Sequence, residues 1–207
     1  MNLTQLELLR LYDEPHRRYH SVFHVLEMLE MHDSGATRGL RVLGYRKPYF
    51  PDYLEAIFRT AVTAHDCVYQ IGREKGWNER QSLEAWRAKG LFVQPEIAEA
   101  LILVTIHHNP DEFQHNDPSV RHMIRHMVDL DMAPLAADPV EYDRNSENLK
   151  LEFLSGGLDP AAYEKGRRAF LQHTLEQPSI FFTEQFKPLE VQARQNMRRA
   201  LEPGYGV

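Results

Sequence analysis

Leu54-Glu55-Ala56-Ile57-Phe58-Arg59-Thr60-Ala61-Val62-Thr63-Ala64-His65-Asp66 decides how the rest of the chain is read. Leu54, Ile57, Phe58, Ala61 and Val62 recur at the three-to-four-residue spacing of one helical face, which predicts a core-facing helix over about 52–67. A tandem His-Asp at the end of such a helix is unexpected. A buried carboxylate is costly unless it is paired or bound to a metal. The stretch therefore predicts both a helical core and a charged site inside it.

Helical punctuation recurs on either side. Asp117-Pro118, Asp138-Pro139 and Asp159-Pro160 each read as a helix start. The Asp carboxylate accepts a hydrogen bond from an orphan backbone N–H, and Pro in the first turn loses no donor that a helix would use. Pro95-Glu96 suggests a further start, and Asn78-x-x-Gln81 resembles a capping box opening a helix toward Trp86. Helices are predicted at about 3–13, 19–33, 52–67, 78–90, 95–108, 118–134, 139–155, 160–174 and 186–201. Strand signals are nearly absent. Gly35, Gly39, Gly44, Pro48 and Pro51 mark residues 34–51 as an irregular connection, and the tail from Pro203 is expected to fray. The expectation is an all-α, single-domain bundle of about nine helices, with its core over about 19–201.

Composition narrows the function classes. At 207 residues one domain can bury a full core without disulfides, and no segment offers the ~18 apolar residues of a membrane span. The opening residues carry no basic region followed by an apolar run, so cytoplasm is the expected compartment. A net charge of −6 argues against a duplex nucleic-acid surface. The single Cys67 forms no internal disulfide, and a buried apolar role is favoured over ligand or nucleophile. Eleven histidines are the feature that invites metal or acid–base chemistry.

Three segments carry that chemistry. His20 and His24, in Tyr19-His20-Ser21-Val22-Phe23-His24, fall four apart and share a face if both are helical. His65-Asp66 is the second segment. In the third, Asp129-Leu130-Asp131, counting ~100° per residue puts Asp131 on the apolar face of Val120, Met123, Ile124, Met127 and Val128. Asp129 falls opposite, on a face with His122 and His126 that is expected to be solvated. Two imidazoles and two carboxylates suit one divalent cation (Mn, Mg, Co, Ni, Fe or Zn), and a second metal is compatible. Water on such a cation becomes a hydroxide nucleophile, and His20 suits a general acid.

The order of these segments resembles the HD superfamily, and within it the bacterial metal-dependent phosphohydrolases. Tyr19-His20-Ser21-Val22-Phe23-His24 is similar to that group's Tyr-His-Asn-x-x-His, with Ser21 in place of Asn. His65-Asp66-Cys67-Val68-Tyr69 and Asn78-Glu79-Arg80-Gln81-Ser82 match further segments. Asp129-Leu130-Asp131-Met132-Ala133-Pro134-Leu135-Ala136 matches another, with Ala136 where Gly is usual. Glu152-Phe153, Tyr163-x-x-Gly166-Arg167 and Ala193-Arg194-x-Asn196 also look familial. The resemblance implies an HD-type helical bundle with metal ligands His24, His65, Asp66 and Asp131. It implies His20 and Asp66 as catalytic residues and Asn78 and Glu79 as substrate-binding residues; His108, at the end of a predicted helix, is a further candidate for contact with substrate phosphate or a second metal. The implied activity is hydrolysis of nucleotides or other small phosphoesters by a metal-bound hydroxide, as a phosphomonoesterase or phosphodiesterase. Two rivals stay open. One is a di-iron oxygenase recruiting His107, His108, His122 and His126; the other is a metal-stabilised regulatory module without turnover.

The remaining residues favour bland readings. His107 and His108 end a predicted helix, where imidazoles favour the C-terminus. His16, His32, His115 and His173 read as surface. Lys150, Arg167, Arg168 and Arg194, with Glu147, Glu152 and Glu164 nearby, read as exposed ion pairs, and Trp77 and Trp86 as packing residues.

Overall fold

The computed structural model describes residues 3–90 and 94–205. Among them nine α-helices carry the fold: α1 Leu3–Leu9, α2 Val22–Ser34, α3 Asp52–Ala64, α4 Trp77–Arg87, α5 Pro95–Leu103, α6 Pro118–Met132, α7 Pro139–Ser155, α8 Pro160–Glu176 and α9 Glu190–Ala200. The only strands described are β1 Ala36–Thr37 and β2 Leu40–Arg41, a minimal antiparallel hairpin inside the segment expected to be irregular. The protein is all-α. No helix among the described residues is long and apolar enough to cross a membrane.

The capping chemistry acts as expected at three starts. Asp117, Asp138 and Asp159 accept hydrogen bonds from the backbone N–H of Ser119, Glu141 and Ala162. At the end of α2, Gly35 takes a left-handed φ of 69°, and a Cβ there would fall 2.2 Å from the Tyr45 ring. Only glycine fits that turn.

α3 occupies the centre and packs on α1, α2, α5 and α6. Its Leu54, Phe58, Ala61, Val62 and Ala64 are buried in one contiguous apolar core with Leu8, Tyr12, Leu101, Met123 and Met127. The core therefore reaches back before residue 19, because the Tyr12 hydroxyl donates to the Thr63 carbonyl at 3.0 Å. Residues 203–205 dock as well: the Tyr205 hydroxyl donates to Asp143 at 2.5 Å.

Several boundaries differ from the sequence expectation for physical reasons. α2 begins at Val22, not 19, because the backbone N–H groups of Arg18, Tyr19 and His20 all donate to the Glu152 carboxylate instead of entering a helix. α4 opens after Gly76 without an Asn78 cap, and the Asn78 amide instead brackets the backbone of Gln70. α5 stops at Leu103 and tightens into a 3-10 turn, Val104–Ile106, leaving His107 and His108 beyond it. After α6 the chain tightens into a 3-10 turn at Ala133–Ala136 around Pro134, while Asp131 stays helical.

That last turn is anchored by Asn196 of α9, 1% exposed, whose amide donates to the carbonyls of Leu135 at 2.9 Å and Ala137 at 2.8 Å. Asn196→Leu keeps the volume and leaves both carbonyls buried without a donor. The expected loss in urea unfolding is about 2 kcal/mol or more. A loss below about 0.5 kcal/mol, within the range of ordinary surface changes, refutes the anchor.

Candidate metal centre

Three helices bring their charged side chains to one point. α3 ends at Ala64, so His65 and Asp66 lie in the turn that leaves the core. The Nδ1–H of His65 donates to the Val62 carbonyl at 2.8 Å. This orients the ring and leaves Nε2 facing the site, the arrangement common to metal-binding imidazoles. His65 is fully buried, yet its Nε2 has no hydrogen-bond partner of acceptable geometry. Around that atom lie Asp66 Oδ2 at 3.1 Å and Asp131 Oδ1 at 3.7 Å. Asp131 Oδ1 is also 3.1 Å from His24 Nε2. The ligating atoms of His24, His65 and Asp66 lie within 4.8 Å of one another.

The sequence-predicted set of His24, His65, Asp66 and Asp131 thus converges. Asp131 points inward as the helical wheel requires, its side chain 13% exposed. His108 joins them, with Nε2 2.9 Å from Asp131 Oδ2, on a backbone at φ 52° that few residue types adopt. Burial opposes ionisation of Asp66, but the charge of the adjacent His65 imidazole holds its carboxyl well below the usual range. Burial likewise opposes ionisation of Asp131, and the hydrogen bonds of His108 and His24 outweigh it. His65 is drawn down by burial but pushed up to about 9 by Asp66 and Asp131. The pocket wants positive charge. Two nitrogen and two oxygen donors around an orphaned imidazole nitrogen fit a divalent cation.

His20 is placed differently from the expectation but remains beside the cluster. It precedes α2, so it does not share a helical face with His24; their ring centroids are nevertheless 6.2 Å apart. Its Nδ1 faces Glu152 Oε1 at 2.5 Å, and its ring stacks on Tyr69 with centroids 4.0 Å apart. Burial alone depresses the His20 pKa, yet the Glu152 hydrogen bond and charge raise it above its ordinary value. Glu152 is fully buried, not the exposed ion-pair partner expected, and burial is outweighed by its own donors, which hold its pKa below the usual range.

Sequence reading missed Arg17. Its side chain is 1% exposed, and its guanidinium donates to the carbonyls of His20 at 3.0 Å, Asp66 at 2.6 Å and Cys67 at 3.1 Å. One side chain staples the His20 turn to the His65-Asp66 turn. No periodicity marks such a residue, since it lies in an irregular segment.

The remaining expectations divide. Glu79 is half-buried, and its carboxyl is pushed up first by burial and then by Asp66, with His108 and His65 opposing; it borders the site. Both ends of the Asn78 amide are committed to the backbone of Gln70. Cys67 is buried against Ser82, and burial pushes its thiol up to about 11, which suits neither a ligand nor a nucleophile. His107 pairs with Glu112 at the surface. The face of α6 expected to be solvated is buried. Asp129 accepts from the backbone N–H of Phe182 and Thr183 and the Thr183 hydroxyl, at 2.7, 2.8 and 2.5 Å. His126 bonds His32 at 3.0 Å among Phe50, Phe58 and Phe186. His32, read as surface, is fully buried.

A scan against protein-family models, a search of curated proteins and a search of solved structures each find no match to this chain.

The His32–His126 pair makes stability depend on pH. Burial lowers the pKa of both, further for His126. The unfolded chain, in which both titrate near ~6.5, therefore binds more protons below that value. Their contribution is intact above about pH 6.5 and is lost as pH falls. His126→Gln keeps a donor for His32 and removes one titrating group. Urea midpoints measured from neutral to mildly acidic pH should fall less steeply for the variant than for the wild type. Parallel slopes refute the assignment.

Proposed function

We propose that the chain is an HD-type, metal-dependent phosphohydrolase acting on nucleotides or other small phosphoesters, with one divalent cation held by His24, His65, Asp66 and Asp131. One observation carries this reading: the buried Nε2 of His65 has no hydrogen-bond partner while two carboxylates and a second imidazole surround it. A bound divalent cation supplies charge neutralisation at a phosphoryl oxygen and acidifies water beside it.

The chain's own residues account for the rest. Glu152 holds the proton on His20 Nδ1, so the Nε2 side of the ring can protonate a leaving oxygen. Tyr69 fixes the plane of that ring, and Arg17 ties its turn to the one bearing Asp66. Glu79 and His108 border the space where substrate sits. The contact of His108 with the second oxygen of Asp131 is what supports a second cation. The oxygenase alternative is weaker, since His122 and His126 lie with His32 and Phe50, and His107 faces Glu112.

The test joins elemental analysis to a phosphatase and phosphodiesterase screen with Mn, Mg, Co, Ni, Fe and Zn. His65→Ala should lose both bound metal and phosphate release; a variant that keeps both removes the reading. Metal retained by the wild type with no phosphate release under any cation favours the regulatory-module alternative.

His20→Gln should lower kcat by ~10²–10⁴ for alkyl phosphoesters, the usual range for a lost general acid, and far less for p-nitrophenyl phosphate, whose leaving group departs unprotonated. An equal loss on both substrates refutes the acid role.

A further inference from the structure

Beside the candidate metal centre, with His24 in its wall, a cleft of about 110 Å³ opens between the turn before α2 and the exposed side of α7. Arg18, Arg38 and Arg144 line it, with two acidic residues, Glu27 and Glu141, and the charges of Arg38 and Arg144 act on Glu27. Arg144 is committed to Glu141. Arg18 and Arg38 have no ion-pair partner among the described residues. The side chains of Ser21, Asn145 and Asn148, also in the wall, make no hydrogen bond to any described residue either. Polar residues without a close protein partner therefore line a space several times the roughly 15 Å³ that one water needs by the same measure. Planar guanidinium forks with amide N–H groups are the chemistry that recognises phosphate and carboxylate oxygens.

The position of the cleft connects it to the reaction. Glu141, Asn145, Asn148 and Glu152 follow one another at helical spacing on one stripe of α7. Asn145 and Asn148 face the cleft, and Glu152 holds His20. Four residues along a helix span about 6 Å. A ligand seated at Asn148 thus lies about one turn of α7 from the residue that holds the general acid.

We propose that this cleft is a subsite for a second oxyanion, so that the substrate carries another phosphate or carboxylate beyond the scissile phosphoester, held by Arg18, Arg38, Asn145 and Asn148. The reactive end of that substrate rests on the phosphohydrolase reading; the cleft itself does not.

Two measurements separate them. In the first, a nucleoside 3′,5′-bisphosphate and 3-phosphoglycerate are each compared with p-nitrophenyl phosphate as substrates of the metal-loaded protein. The wild type should prefer at least one doubly anionic substrate, and Arg18→Gln/Arg38→Gln should reduce that preference at least tenfold, mainly through KM. Arg125→Gln, in α6 and away from the cleft, should not change it. The substrate whose preference is lost tells phosphate from carboxylate. An unchanged preference in the double variant overturns the subsite.

In the second, pyrophosphate is titrated into the purified protein without added divalent cations. The side-chain amide resonances of Asn145 and Asn148 should shift, with affinity at least tenfold weaker in the double variant. Silent resonances, or equal affinity in the two proteins, overturn the cleft. Pyrophosphate bound in this way by a protein that hydrolyses no phosphoester would overturn the hydrolase reading and leave the oxyanion site standing.

Discussion

Two carboxylates, Asp66 and Asp131, share one fully buried imidazole, and the rest of the molecule answers to that fact. Like charges this close, in surroundings of low effective dielectric, destabilise any fold that leaves them uncompensated. Compensation comes from His24, His65 and His108, each drawn from a different part of the chain. The apolar packing of α3 against α2, α5 and α6 sets where those parts meet.

Holding such a cluster takes more than helix packing, because its members sit at helix ends and in turns. Arg17 and Glu152 do the holding, and both act on backbone as well as on side chains. Glu152 collects three N–H groups from residues 18–20, and Arg17 spends its donors on three carbonyls in two turns. Each charge pairs with one side chain, Arg17 with Glu14 and Glu152 with His20, and its remaining hydrogen bonds to the backbone hold irregular segments in place. Removing either group leaves several buried backbone atoms unpaired at once.

What could be read from the sequence follows the range of the interaction responsible. The helix starts at Asp117, Asp138 and Asp159 were legible because an N-cap acts within three residues. The inward direction of Asp131 was legible because periodicity records which side of α6 is apolar. The true start of α2 was hidden, since the carboxylate that unwinds residues 18–20 lies more than 130 positions later in the chain. Asp129 and His126 were misread for a similar reason: nothing near them announces that residues 180–186 and the side chains of Phe50 and Phe58 cover that face. The HD-type resemblance pointed to the four side chains that converge, but not to Arg17, which ties two of their turns together.

His108 shows how narrow the choice at one position becomes when backbone and side chain both have demands. Its φ of 52° disfavours β-branched and bulky residues, which pay a steric penalty there, while glycine, asparagine, aspartate and histidine tolerate it. Contact with a carboxylate oxygen asks for a nitrogen reaching several bonds from the backbone, which glycine and aspartate lack and asparagine offers only on a shorter stem. Histidine satisfies both conditions at once, and Gln94 at φ 51° shows that another long-stemmed side chain tolerates the same backbone, so the carboxylate contact narrows the choice more than the backbone does.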